Sequence, residues 1–103
     1  MTPNTNAMYM KIHKEPGGGT VVAICDRELL GRTLTEGNIE ITITEFFYGD
    51  VPASEEEVRY ALAHASNANI IGTKVVEIAI SLGCIDPSSC LMIDSVPHAQ
   101  FVQ

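Results

Sequence analysis

From Met8 the chain alternates. Met8, Met10 and Ile12 share one face, and Tyr9, Lys11 and His13 share the other, which is the pattern of a half-buried strand. Glu15-Pro16-Gly17-Gly18-Gly19 breaks the run with turn chemistry. Thr20 to Cys25 returns as a β-branched, almost wholly apolar stretch, so the two segments predict a hairpin with the glycine run at its tip. Asp26 is placed to cap a short helical turn over Arg27 to Leu30, with Gly31 ending it. Ile39, Ile41 and Ile43 then alternate with Glu40, Thr42 and Thr44 in the clearest amphipathic strand of the chain. Phe46-Phe47-Tyr48-Gly49 follows as an aromatic knot before the break at Pro52.

The period then changes. Ser54 is an N-cap with Glu57 three residues on, a capping box, and Glu55, Glu56 and Glu57 fill the first turn, where the helix dipole favours anions. Val58, Ala61, Leu62 and Ala65 mark the apolar stripe of that helix. The pattern hesitates at Ser66 to Asn69. A second helix is expected with Ile71, Val75, Ile78 and Leu82 on one face and Gly83 as its stop. Asp86-Pro87 opens a short turn, and Leu91-Met92-Ile93 reads as a last strand. Residues 1–7 are polar and unpatterned, a disordered lead-in to one globular domain over residues 8–103. Strands first and helices after give the α+β class: a small antiparallel sheet of three to four strands with two helices packed on one face.

Charge narrows the partners. Residues 1–50 carry four basic and seven acidic groups, residues 51–103 two and six, and the whole chain has a net charge of −7. Nucleic-acid binding draws much of its affinity from Lys and Arg on phosphates, so autonomous RNA or DNA binding is not expected, and RNA contact is expected only within a larger complex. The three cysteines, Cys25, Cys84 and Cys90, are odd in number and irregular in spacing, which is not a disulfide framework. No basic-then-apolar leader opens the chain and no apolar run approaches the roughly 20 residues of a membrane span, so a cytoplasmic protein with reduced thiols and no membrane partner is expected.

Candidate chemistry is thin. Cys25 next to Asp26 could act as a nucleophile with His13 or His98 as base, but a thiol needs such a partner to become reactive, and a cysteine ending an apolar strand equally suits a core. Cys84, Cys90 and His98 lie six and eight positions apart, unlike the two-to-four-residue spacing of zinc sites, and His64 stands alone on a helix, so no metal site and no cofactor are expected. The glycine run is no phosphate loop, because a strand and not a helix follows it. Asn67-Ala68-Asn69-Ile70-Ile71-Gly72 spans the expected start of the second helix, where unpaired N–H groups could hold an anion or nucleotide. The plainer reading is an Asn cap, with Gly72 allowing close approach of a strand. Val96-Pro97-His98-Ala99-Gln100 is the oddest segment: a Pro-stiffened stretch that sets His98 and Gln100 between apolar residues. It reads either as a functional loop or as a tail packed on the sheet.

These motifs together resemble an archaeal family of unknown function, the one catalogued as domain of unknown function 424. The resemblance rests on Met8-Tyr9-Met10-Lys11, on Cys25-Asp26 with Leu29-Leu30-Gly31, and on Phe47-Tyr48-Gly49. It continues through Asn69-Ile70-Ile71-Gly72 and Val96-Pro97-His98-Ala99-Gln100, covering residues 8–102. The extra residues before Met8 are its one departure. The resemblance implies an archaeal, cytoplasmic origin and no activity. It marks Cys25, Asp26, Tyr48, Gly49, Asn69, Gly72, His98 and Gln100 as positions to test.

The sequence therefore leads to a non-catalytic binding or adaptor protein working with a larger protein or ribonucleoprotein partner. The candidate surface is Cys25, Asp26, Tyr48, Asn67, Asn69, Gly72, His98 and Gln100. A small enzyme using Cys25 with His98 or Asp26 is one alternative, and an anion or nucleotide binder at Asn67–Gly72 is the other. Apolar strands in so short a chain also leave room for a homodimer.

Overall fold

The computed structural model describes residues 7–103. In chain order the elements are β1 (Met8–Lys14), β2 (Thr20–Asp26), a 3-10 turn (Arg27–Leu29), β3 (Thr33–Glu36), β4 (Ile39–Thr42) and α1 (Glu45–Tyr48). They continue as β5 (Pro52–Ala53), α2 (Glu55–His64), β6 (Asn67–Ile71), α3 (Thr73–Ser81), a second 3-10 turn (Pro87–Ser89), β7 (Leu91–Ile93) and β8 (Val96–Val102).

The main sheet runs β5-β1-β2-β6-β8-β7, and β3 with β4 forms a separate two-stranded ribbon. The expected hairpin is present, with Met8 opposite Asp26 and Lys14 opposite Thr20. The α+β class holds, but the sheet has six strands and not three to four, and it is mixed, because β2 and β6 are parallel. Parallel neighbours need a crossover, and α2 supplies it. Ile39–Thr42 is a strand as expected, but among the described residues it pairs only with β3 and leaves the main sheet. Its burial is graded accordingly: Ile39 is exposed, Ile41 half-buried and Ile43 sealed.

Side-chain alternation gives the sheet two unlike faces. Met8, Val22, Ile24, Ala68, Ile70, Ala99 and Phe101 point to one face, where α2 brings Val58, Leu62 and Ala65 and α3 brings Val75, Val76, Ile78 and Ala79. Two helices on one face is the arrangement the hydrophobic stripes called for. Each fully buried Val, Leu or Ile there stabilises the fold by roughly 1.5–3 kcal/mol over its exposed state. Ala23, Cys25, Ile71 and Ile93 point to the other face, under Leu29, Leu34, Ile43 and Tyr48 from the ribbon and α1.

Capping fixes the ends. Ser54 Oγ accepts from Glu57 N–H at 3.1 Å while Glu57 Oε1 accepts from Ser54 N–H at 2.8 Å, the expected capping box of α2. Asp86 caps the turn at Pro87, as expected. The segment Asn67–Ile71, expected at the start of a helix, is instead the central strand β6, and the helix begins only at Thr73. Of the lead-in expected over residues 1–7, residues 1–6 lie outside the described residues, and the Ala7 carbonyl accepts from Arg27 N–H at 2.8 Å. Among the described residues no helix is long and apolar enough to cross a membrane.

Candidate functional site

The site lies on the second face of the sheet. Register lines its residues up in rows across the strands. Tyr9, Cys25, Ile71 and His98 form one row, and Lys11, Ala23, Asn69 and Gln100 the next. His13, Val21, Asn67 and Val102 form a third. Over the β1–β2 side sits α1, held by Lys11, whose Nζ donates to the Phe46 carbonyl at 2.8 Å, and by His13, whose Nε2 lies 2.7 Å from the Phe47 carbonyl. The His13 ring also stacks on Phe47, centroids 5.0 Å apart.

The short helix thereby aims Tyr48 at β6, where its O–H donates to Asn69 Oδ1 at 2.9 Å. From the other side His98 Nε2, on β8, reaches the same oxygen at 3.3 Å. An amide oxygen only accepts, so Nε2 carries the proton and the neutral ring keeps its Nδ1 lone pair as an acceptor. Burial pulls the His98 pKa below its ordinary value, which favours that neutral ring at pH 7. Burial likewise pushes the Tyr48 phenol up, with the Cys25 sulfur as a smaller cause, so the O–H stays protonated and donating. Beyond Asn69 the cover ends: Gln100 is exposed and Val102 is 75% exposed. Asn67 Oδ1, one row away, is buried with no partner among the described residues. A buried acceptor left unpaired costs about 1–3 kcal/mol.

The structure thus brings together Tyr48, Asn69, His98 and Gln100, with Asn67 beside them. It gives Cys25, Asp26 and Gly72 a different task. Cys25 is fully buried beneath the ribbon and α1, and burial, reinforced by the Asp26 charge, pushes its thiol up to about 12. Ile71 stands between Cys25 and His98 in their row, so two interstrand spacings, roughly 9–10 Å, separate those backbones. Such a cysteine is a core side chain and not a nucleophile.

Asp26 does not cap the turn that follows it, where no side-chain cap bond forms. Its carboxylate instead crosses to α3 and accepts from Lys74 N–H at 2.8 Å and Val75 N–H at 3.0 Å. Gly72, the N-cap residue of α3, has no side chain to do this, and its φ of 126° with the Asp26 carboxylate against its Cα hydrogens excludes any other residue. The cap of the helix is therefore lent by a neighbouring strand. The N–H groups of Lys74 and Val75 that an anion would need are already bonded to a carboxylate. The expected anion site at Asn67–Gly72 is therefore a strand that reaches the helix only at its N-cap residue, and that helix start is not open. Burial raises the Asp26 pKa, and the two N–H bonds pull against it.

The remaining candidates stay apart. His64 stacks on Tyr60 at 4.1 Å and its Nδ1 lies 2.8 Å from the Tyr60 carbonyl, one turn back on the same helix. Among the described residues no three His, Cys, Asp or Glu side chains group as metal ligands.

The family model described as "Protein of unknown function (DUF424)" matches residues 13–103, and so spans every residue of this cluster. The chain belongs to the DUF424 family. The DUF424 chain is similar in fold to a crystal structure titled as an uncharacterized conserved protein from Methanopyrus kandleri, with a TM-score of 0.74 over 91% of this chain and 89% of that one. The two are 22% identical, so the likeness is one of fold. No curated protein matches the chain. Lys11 and His13 seat α1 in this DUF424 domain; neither belongs to the candidate surface, although Lys11 stands in the Met8-Tyr9-Met10-Lys11 motif and His13 is a candidate base. Their signal was their place on the Tyr9 face of β1, opposite Met8 and Met10.

Proposed function

We propose that this DUF424 protein is a cytoplasmic, non-catalytic binding module that works with a larger protein or ribonucleoprotein partner, and that its contact surface is the uncovered β6–β8 side of the sheet. The observation that carries the reading is the convergence of Tyr48 and His98 on Asn69 at the edge of the covered area. Two donors fix the Asn69 oxygen, so its amide N–H groups have a set direction and no partner among the described residues. His98 Nδ1 adds an acceptor and Gln100 an exposed amide. The surface sets uncharged polar groups between exposed Leu91 and Val102, all held on strands, which suits recognition of peptide groups or base edges by hydrogen bonds beside apolar contact. A net charge of −7 favours a basic protein as the body that carries those groups, with RNA reached through the complex.

The test is affinity capture from lysate of the source organism with tagged wild type and a His98→Ala, Gln100→Ala double variant, each with and without RNase. The reading expects a defined complex with wild type that the double variant loses at unchanged melting temperature. Equal recovery by both proteins, or no complex with either, overturns it. Loss of the complex on RNase treatment would assign the bridge to RNA.

A further inference from the structure

The opposite edge of the sheet is unfinished. β5 pairs with β1 only at Met8 and Tyr9, and the Val51 carbonyl accepts from Met10 N–H at 3.3 Å. Among the described residues no strand continues this ladder along Lys11 to Lys14. Antiparallel strands alternate the direction of their backbone groups. Since Met10 N–H points outward to Val51, the N–H and C=O of Ile12 and Lys14 point outward as well.

A groove of about 580 Å³ runs beside this edge, between β1 and α2. Its floor is Met10, Val22 and Ala61, and Ile12 and Tyr60 stand 53% and 68% exposed at its mouth. The α2 wall carries Glu56 and Glu57. Among the described residues no cation pairs with either: Arg59 is paired with Glu55, and Lys11 bonds to α1 on the other face. A strand that completed this edge would need apolar side chains toward α2 and a basic one on the same face. β1 has that pattern itself, in Met10, Ile12 and Lys14.

We infer that the free edge of β1 is a self-association surface, which takes the β1 of a second copy in antiparallel register and closes a symmetric dimer. Val51 already occupies the place beside Met10, so the two-fold axis falls near His13, with Ile12 opposite Lys14 of the partner. Each such pair exchanges two backbone hydrogen bonds, and the axis generates the second pair. Lys14 of one copy lays its methylenes along Ile12 and Tyr60 of the other and brings its ammonium to Glu56 or Glu57. An edge with open hydrogen-bonding groups and an apolar flank invites pairing, and the isologous contact closes instead of growing. β2 and β6 stand between this edge and the β8 strand of the polar surface, so the dimer leaves that surface free.

Sedimentation equilibrium over a wide concentration range tests this. Wild type is expected to move from 11.1 kDa to twice that mass as concentration rises. Ile12→Lys should hold the protein at the monomer mass with its circular dichroism unchanged, since the side chain is already exposed. Lys14→Glu alone, and Glu56→Lys alone, should each weaken the dimer several-fold, and the two changes together should restore it. A wild type that stays monomeric throughout, a dimer untouched by Ile12→Lys, or a charge swap without rescue each overturns the inference.

Discussion

At the scale of the residue, Asp26 and Gly72 carry more of the fold than of the function. Asp26→Ala leaves one buried and one part-buried N–H group of α3 without an acceptor and should cost about 2–3 kcal/mol, read as a shift of the urea midpoint. Gly72→Ala should be at least as damaging, because a Cβ there meets the carboxylate and the φ is left-handed. The pH dependence has a definite sign. The Asp26 pKa is raised in the folded state above its ordinary 3.8, so its titration stabilises the fold fully below that value. That contribution is lost as pH rises through the folded pKa. The stability of wild type relative to Asp26→Asn should therefore fall as pH is raised from about 3 toward neutrality; a difference that is flat or rises with pH contradicts the assignment. His98 shows how much of the site could be read from the chain. Its oddity in a Pro-stiffened apolar stretch was visible, and so was that of Asn69. Their meeting was not, because a bond between positions 69 and 98 is set by strand register and not by spacing.

At the scale of the element, local signals succeeded where local chemistry decides. The Ser54–Glu57 capping box and the stripe of Val58 and Leu62 specify α2 within one stretch of chain. β6 is the contrary case. Asn67 and Asn69 alternate with Ala68 and Ile70 as a strand should, yet asparagine disfavours strands, and this one exists because β2 and β8 flank it on both sides. Gly72 misled for the same reason: it looks like a residue inside a helix and is the N-cap residue of one. The four residues of α1 have no periodicity to detect, and their helix is fixed by Lys11 and His13 beneath it. The β7–β8 turn carries a strain that can be relieved. Asp94 and Ser95 both hold positive φ, 52° and 65°, as a two-residue hairpin turn demands. Ser95→Gly should raise stability by about 0.5–1 kcal/mol in thermal unfolding. A loss of stability would mean that the turn is not held in this conformation.

At the scale of the whole molecule, the sheet sorts its duties by face and edge. One face buries two helices and holds the chain together. The other is half covered, and the boundary of that cover is where Tyr48, Asn69 and His98 meet. The strand count exceeded expectation because β5, β6 and β8 are short, polar or proline-bearing segments that only long-range pairing makes into strands. The function stayed out of reach of motif reading for a related reason: three of the polar groups come from three separate elements. The claim that this boundary is a contact surface is tested most directly by photo-crosslinking in the source organism, with a photoreactive residue placed at Gln100 or, as a control, at exposed Glu77 on α3. The account predicts a discrete adduct heavier than a dimer of the chain from position 100 and none from position 77. No adduct at position 100, or the same adduct from both positions, would contradict it.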